Sequence, residues 1–160
     1  MQTRTMPQTM SSNPFPESSP EVVEDNDALQ HLHDRITDAL DGFRVMASEA
    51  EPAFRPVVER FVALHQTQAA AVADMLMARG AGDDLDGTLM GTVNKAVVSV
   101  RALFTGIDAG VLESIRSGEE HVLAAYDRAI GGVVAPVDAA TLTAMRGTLI
   151  TLLDDTRDLG

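Results

Sequence analysis

The chain contains no cysteine and no tryptophan, and it has one tyrosine and one lysine among 160 residues. Without cysteine it cannot form disulfide bonds, thiolate metal sites or cysteine nucleophiles. Hydrophobic residues make up 45% of the chain, but aromatic residues make up only 4%. The core must therefore consist mainly of aliphatic side chains and methionine, which suits closely packed helices better than a sandwich of strands.

Positive charge and long apolar runs are also scarce. The formal net charge is -12 and the isoelectric point is near 4.5, and such a field repels nucleic-acid phosphates and anionic lipid surfaces. No apolar run approaches the roughly 18 residues that span a bilayer, and residues 1–20 lack the apolar segment of a secretory signal. We therefore expect a soluble, cytoplasmic protein that binds neither nucleic acid nor membranes.

Composition divides the chain into two parts. Residues 1–25 are rich in Ser, Pro, Thr and Gln and end with the acidic residues Glu21, Glu24 and Asp25. Their apolar content is too low to offset the entropy of ordering. We predict a disordered N-terminal tail over residues 1–25 and one helical domain over residues 26–160, where no alternating strand pattern occurs.

The helical domain repeats its apolar residues at the three-and-four spacing of amphipathic helices. Four long helices and one shorter helix, residues 88–104, are predicted. The shorter helix is interpreted as a crossover between the second and third long helices, as in bundles with one long connection. The fold class is thus an all-α, ferritin-like four-helix bundle. The five predicted helices cover residues 27–50, 53–79, 88–104, 109–130 and 139–159.

Suitable capping residues mark the predicted ends. Asn26 or Asp27, Asp108 and Asp138 can each accept hydrogen bonds from the first turn of a helix as its N-cap. Glycine favours the left-handed conformation that follows a last turn, and Gly80 stands where the second helix should stop. Pro52 and Gly131-Gly132 mark two other breaks.

Polar residues interrupt the apolar faces of two predicted helices. His65 and Gln68 lie on the inward face of the second long helix, and Glu119 lies on that of the third. In ferritin-like bundles, facing helices carry carboxylates and Glu-x-x-His pairs in such positions to hold two metal ions. This chain contains no Glu-x-x-His, and it has no Glu after Glu120 and no His after His121.

Several short segments occur in a specific order along residues 27–159. They are Leu32 and Ile36 followed by Asp41-Gly42-Phe43, then Gly80-Ala-Gly82, Gly87-Thr-Leu-Met-Gly91, Leu103-Phe-Thr-Gly-Ile-Asp108, Gly118-Glu119 followed by Tyr126, and Asp154-Asp-Thr-Arg-Asp-Leu159. In this order they resemble an uncharacterised bacterial family, a domain of unknown function with a four-helix bundle of ferritin-like, rubrerythrin-related fold.

The resemblance implies a bundle whose ancestral site bound a pair of metal ions. Gly118-Glu119 with Tyr126 looks like the ligand segment on the third long helix of rubrerythrins. His65 and Gln68 stand where a rubrerythrin-like helix would carry Glu-x-x-His. The resemblance therefore points to His65, Gln68 and Glu119 as the remaining candidate metal ligands.

Other ligand positions implied by the resemblance lack ligands in this sequence. The first-helix glutamate is replaced near Ala39 or Leu40, and residues 149–153 of the last helix are apolar or Thr. A di-metal site of this type needs about six ligands, most of them carboxylates. The three candidate residues supply only one carboxylate, one imidazole and one amide.

Two interpretations of the candidate residues follow. In one, His65 and Glu119 hold a single ion, iron or another divalent metal, together with water. In the other, Glu119 pairs with His65 or accepts a hydrogen bond from Gln68 or Tyr126, which gives a buried polar network that fixes helix register. A placement of Glu119 toward solvent at the edge of the bundle is a further alternative.

No catalytic residue is assigned, and no cofactor is expected. The expected function is that of a non-enzymatic bundle protein with a degenerate metal site, acting in protein interaction or as a stress-related scaffold. The alternative is a metal-binding or redox protein that uses iron or manganese at a partial rubrerythrin-like site. Apolar residues outside the core favour a homo-oligomer or a protein partner: Val93, Val97, Val98, Val100 and the segment Val133-Val-Ala-Pro136.

Overall fold

The structure, a computed structural model, describes residues 20–81, 108–132 and 135–159. Within these ranges the chain forms four α-helices and no β-strand, which confirms the all-α prediction. The predicted helix at residues 88–104 lies outside the described residues. The helices are α1 (Pro20–Glu49), α2 (Arg55–Ala78), α3 (Leu112–Gly132) and α4 (Pro136–Asp155), with 3₁₀ turns at Ala109–Val111 and Arg157–Leu159.

Each helix packs against two neighbours, so the four form a closed ring in the order α1, α2, α4, α3. Ion pairs between Arg60 and Asp155 and between Arg79 and Asp138 join opposite ends of α2 and α4, which are therefore antiparallel. The pair α2 and α3 faces across the diagonal of the bundle. None of the four helices in the described part of the chain has the length and apolar composition needed to cross a membrane.

The first helix begins earlier than predicted. It starts at Pro20 rather than at residue 27, so the last six residues of the predicted tail belong to α1, and Asn26 and Asp27 lie inside the helix instead of capping it. Proline is favoured at the first position of a helix because its fixed φ suits the helix and its missing N–H leaves no donor unsatisfied. The rest of the predicted tail, residues 1–19, lies outside the described residues.

The end of α2 confirms the predicted stop at Gly80. Gly80 has a φ of 72°, which glycine adopts at little cost. Its N–H donates to the carbonyl of Met77 at 3.0 Å, and the N–H of Ala81 donates to the carbonyl of Leu76 at 2.9 Å. This pair of bonds is the Schellman motif, and it satisfies carbonyl groups that the helix would otherwise leave unpaired.

Capping in the second half of the chain was predicted correctly at one end and wrongly at another. Asp108 accepts a hydrogen bond from the Gly110 N–H at 2.8 Å, as expected. Asp138 does not cap α4, because the helix starts two residues earlier at Pro136 with Ala135 at the N-cap position. The carboxylate of Asp138 instead forms an ion pair with Arg79.

The predicted apolar faces form most of the core. The last predicted helix extends to residue 159, but α4 ends at Asp155 and a 3₁₀ turn follows, so Leu159 is 49% exposed. Among the described residues, the fully buried apolar side chains are Leu29, Leu32, Ile36, Val58, Phe61, Val72, Leu76, Ala129, Leu142 and Leu149.

Candidate functional site: a buried polar centre

A histidine and a glutamate meet at the centre of the bundle. His65 projects inward from α2 and Glu119 from α3, and their side chains are 0% and 2% exposed. The distance from His65 Nε2 to Glu119 Oε1 is 2.9 Å. Both residues lie on the apolar faces of their helices, at the three-and-four spacing. They are buried because these faces pack toward the core. The hydrogen bond therefore crosses the diagonal of the ring and ties α2 to α3.

The bond requires one proton between the two groups. Either His65 Nε2 donates to a Glu119 carboxylate, or a protonated Glu119 donates to Nε2. The imidazole ring also stacks on Phe43, with ring centroids 5.4 Å apart and an interplanar angle of 16°. Phe43 stacks in turn on Phe61 at 4.8 Å. These ring contacts hold the imidazole in one orientation, so the hydrogen bond is positioned by α1 as well as by α2.

Gln68 lies one turn beyond His65 but points its amide elsewhere. Its Nε2 donates to the carbonyl oxygen of Met145 at 2.8 Å. The side chain is 3% exposed and links α2 to the middle of α4. Donation from Gln68 to Glu119, one of the predicted arrangements, is therefore not found.

Tyr126 lies two turns after Glu119 on α3 and is fully buried. Burial raises the pKa of its hydroxyl, and the negative charge of Glu119 raises it further. The hydroxyl has no hydrogen-bond partner among the described residues, so the predicted bond from Tyr126 to Glu119 is absent.

We call His65, Gln68, Glu119 and Tyr126 the polar centre. Each member has one buried polar atom without a hydrogen-bond partner in the described part of the chain: His65 Nδ1, Gln68 Oε1, Glu119 Oε2 and the Tyr126 hydroxyl. Buried polar atoms in folded proteins are nearly always paired, because an unpaired one costs about 1–3 kcal/mol. The polar centre thus retains unused hydrogen-bonding capacity.

A cavity of about 260 Å³ lies between α1 and α3 and extends to Glu119. It was not predicted from the sequence. The signal that could have revealed it is the set of small residues on the two facing helices, Ala39 and Gly42 on α1 and Gly118 on α3. The lining also includes Arg35, Asp38, Phe43, Met46, Ser114, Ile115, His121 and Val122. We call this space the α1–α3 cavity.

A family model described as a domain of unknown function (DUF2383) matches residues 24–132, more than half of the chain. The chain belongs to the DUF2383 family. The prediction of a domain of unknown function is thereby confirmed. The matched span includes all four members of the polar centre and ends at the last residue of α3. Comparison with curated proteins and with solved structures gave no match.

The described residues around the polar centre do not supply the ligand set of a di-metal centre. Among residues 20–81, 108–132 and 135–159, no three His, Asp or Glu side chains lie close enough to hold a metal ion together. The single carboxylate and single imidazole of the polar centre are engaged with each other. Two ions would require about six ligands.

Proposed function

We propose that this DUF2383 protein is a cytoplasmic, non-enzymatic bundle of the ferritin-like, rubrerythrin-related type, and that it acts as a protein-interaction scaffold. In this proposal the ancestral metal site has degenerated into a structural polar centre. The observation that carries it is the buried 2.9 Å hydrogen bond between His65 Nε2 and Glu119 Oε1. The imidazole and the carboxylate of the centre are bonded to each other, so each has a structural role that needs no metal.

The position of the polar centre supports the ferritin-like part of the proposal. Ferritin-like sites are built in the middle of a four-helix bundle from inward-facing side chains of facing helices. His65 and Glu119 come from α2 and α3, which face each other across the ring. Both side chains are buried among apolar residues. Their hydrogen bond would therefore still fix the register of α2 and α3 after the ligands on the other helices had been lost.

Exposed apolar side chains support the scaffold part of the proposal. Met77, near the end of α2, is 55% exposed and Val137, near the start of α4, is 72% exposed. The Arg79–Asp138 ion pair places these two helix ends side by side, so both side chains lie at one end of the bundle. We propose that a second copy of the chain covers this end. The predicted apolar residues at 93–100 and 133–134 lie outside the described residues.

Metal retention tests the degenerate site. The purified protein and a Glu119→Gln variant are incubated with iron, manganese and zinc, desalted and measured by elemental analysis. Glu120→Gln is the matched control, because Glu120 is the adjacent carboxylate on α3 and is exposed. We expect the wild-type protein and both variants to retain the same amount of metal, so that no retained ion depends on Glu119. One or two ions per chain that are lost only in Glu119→Gln would overturn the proposal.

Light scattering across a concentration series tests self-association. We expect the mass of the wild-type protein to rise with concentration, and Val137→Asp to hold the mass at that of the monomer. Thr143→Asp on the exposed side of the same helix is the control and should behave as wild type. A wild-type mass that stays monomeric at every concentration would remove the second copy from the proposal.

The second candidate function is binding of a single metal ion for storage or redox chemistry. It is favoured by one observation, the unpaired Glu119 Oε2 and His65 Nδ1 in the polar centre. An ion held there would need further ligands from water or another chain, because the described residues supply no third His, Asp or Glu. The elemental analysis above distinguishes this candidate from the first.

A further inference from the structure

A surface groove between α1 and α3 brings four basic side chains together. His31 and Arg35 lie one turn apart on α1, and His121 and Arg128 lie two turns apart on α3. Residues four or seven apart share one face of a helix, so each helix supplies two basic groups to the same seam. We call this space the basic groove, and its lining residues are His31, Arg35, His121, Ala124, Ala125 and Arg128.

The basic groove runs against the composition of the chain. The sequence has 24 Asp and Glu residues against 12 Lys and Arg residues, yet no carboxylate is among the lining residues that the structure describes. Asp38, the carboxylate paired with Arg35, is 3.8 Å from it and lies outside the lining. Asp27 lines the next groove along α1 together with Arg128 but forms no ion pair with it. Positive charge is therefore concentrated at this point of an acidic surface.

Arg128 has no partner in the described part of the chain. Every other arginine in residues 20–81, 108–132 and 135–159 pairs with a carboxylate or donates to a backbone carbonyl. Arg128 does neither within these ranges, and its side chain is exposed. The imidazoles of His31 and His121 likewise have no hydrogen-bond or ion-pair partner there. The groove thus presents N–H donors that the fold itself does not use.

These donors suit a phosphate group. The guanidinium of arginine presents its N–H groups in a planar fork that matches two oxygens of a phosphate or a carboxylate. An imidazole adds one N–H donor when neutral and two when protonated. A phosphate monoester offers three strong acceptor oxygens and a charge of about -1.5 to -2, whereas a carboxylate offers two oxygens and one charge. Donors on both sides of the groove can therefore engage a phosphate more fully.

The size of the basic groove allows an organic group beside the phosphate. Its volume is about 550 Å³, within the range of roughly 300–1,000 Å³ that is typical of small-molecule sites. Ala124 and Ala125 contribute small apolar side chains to the wall. The groove thus has room for a phosphate that carries a small organic substituent.

The charge of the whole protein acts against any anion at long range. The formal net charge is -12, but at about 0.15 M salt the interaction of exposed charges is screened beyond roughly 8 Å. Direct contacts with the basic side chains then determine binding. A strongly charged group with several acceptor oxygens gains most from such contacts.

We propose that the basic groove binds the phosphate group of a small organic phosphate. Arg35 and Arg128 donate to the phosphate oxygens from the two helices, and His31 and His121 supply further N–H donors. The inference goes beyond the proposed function and uses no member of the polar centre, so either can fail without the other.

Calorimetric titration of the full chain with inorganic phosphate tests the inference, at about pH 7 and about 0.15 M sodium chloride. The protein is first treated with EDTA and desalted, so that phosphate cannot bind through a retained metal ion. Arg128→Gln removes the guanidinium that has no partner in the described fold. Arg44→Gln is the matched control, because Arg44 is an exposed arginine of α1 outside the groove and its loss changes the net charge equally. Acetate is the carboxylate probe.

We expect one phosphate per chain, bound at least about tenfold more weakly by Arg128→Gln and within about twofold of wild type by Arg44→Gln, since a hydrogen bond to a charged group is lost only in the first. Acetate should bind the wild-type protein at least about tenfold more weakly than phosphate. Phosphate should also raise the thermal unfolding temperature of the wild type and of Arg44→Gln more than that of Arg128→Gln.

Three outcomes would overturn the inference. They are absence of phosphate binding, equal weakening by Arg128→Gln and Arg44→Gln, which would indicate a general charge effect, and equal binding of acetate and phosphate. Circular dichroism of both variants shows that they are folded, so that a loss of binding reports on the groove.

Discussion

Two helix interfaces that meet at the polar centre are built differently. Between α1 and α3, the small residues Ala39, Gly42 and Gly118 leave a cavity that extends to Glu119. Between α2 and α4, side chains bridge the helices at both ends and in the middle. These bridges are Arg60 to Asp155, Gln68 to the Met145 carbonyl, and Arg79 to Asp138.

The difference shows that access to a buried polar group depends on the side chains of the interface beside it. A surface groove also lies between α2 and α4, but none of its lining residues belongs to the polar centre: Arg60, Ala63, Leu64, Thr148, Thr151, Leu152 and Asp155. Where residues without long side chains face each other, the helices leave space. Glu119 is accordingly a lining residue of the α1–α3 cavity and not of the α2–α4 groove.

The largest expected effect concerns the bond that joins the two sides of the bundle. Glu119→Leu and His65→Leu each leave the other member of the pair buried without its partner, so each should lower the free energy of unfolding by about 3 kcal/mol. The double variant removes both polar groups and should be far less destabilised than the sum of the two. Urea unfolding of all four proteins measures this coupling.

Additive losses in that cycle, within about 0.5 kcal/mol, would contradict a direct pairing of the two side chains. They would also remove the reason to assign the polar centre a structural role. The double variant should in addition keep the helical circular dichroism spectrum of the wild type, because the apolar faces of α2 and α3 remain.

The next effect comes from the only tyrosine in the sequence. The pKa of Tyr126 is raised in the folded protein by burial and by Glu119, so above the ordinary value of about 10 the unfolded chain loses a proton that the native protein keeps. Stability should therefore be intact below that pH and fall above it, by up to about 1.4 kcal/mol per pH unit from this group.

Urea unfolding between about pH 9 and pH 11 measures the fall, and Tyr126→Phe should flatten it. The tyrosinate absorbance provides a second readout, since it should appear only as the wild-type protein unfolds. Tyrosinate that forms in the native state near the ordinary pKa would show that the hydroxyl is accessible to water in the folded protein.

A smaller effect tests whether the glycines of the α1–α3 side are needed for packing. Gly42→Ala and Gly118→Ala should each stabilise the protein by about 0.5–1 kcal/mol, because alanine is the better helix former and its methyl group meets open space. Gly147→Ala on α4 is the matched control and should give a similar gain. Thermal unfolding measures all three, and a loss at Gly42 or Gly118 alone would mean that close contact there requires glycine.

The smallest effect concerns the bridges on the α2–α4 side. Arg60 and Asp155 are 47% and 53% exposed, whereas Arg79 and Asp138 are 17% and 27% exposed. Asp155→Asn should therefore cost less than about 0.5 kcal/mol, because water and salt screen the exposed pair. Asp138→Asn should cost more, up to about 1 kcal/mol. Equal costs in urea unfolding would indicate that burial does not distinguish the two pairs.

Much of the fold follows from local sequence patterns. The three-and-four spacing of apolar residues predicts the helices and their buried faces, and the same spacing assigns His65, Gln68 and Glu119 to the core. Local pattern is less reliable at helix ends. Asn26 and Asp138 are good capping residues, yet α1 and α4 start further upstream at prolines, because a cap is only one of several ways to begin a helix.

The candidate site was predictable in its members but not in its bonds. Helical periodicity predicts which side chains point inward. A hydrogen bond between helices also depends on the rotation and the axial shift of one helix relative to the other. Those offsets produce the Glu119 bond to His65, and they direct the Gln68 amide to the Met145 carbonyl rather than to Glu119.

Residue type and helical period are enough to predict that this chain is helical and that three polar residues lie in its core, and the sequence itself shows that no Glu-x-x-His occurs. The packing of the four helices adds that His65 and Glu119 pair across the diagonal and that a cavity opens beside Glu119. Pairing and empty space depend on the distances between helices, and no single helix encodes those distances.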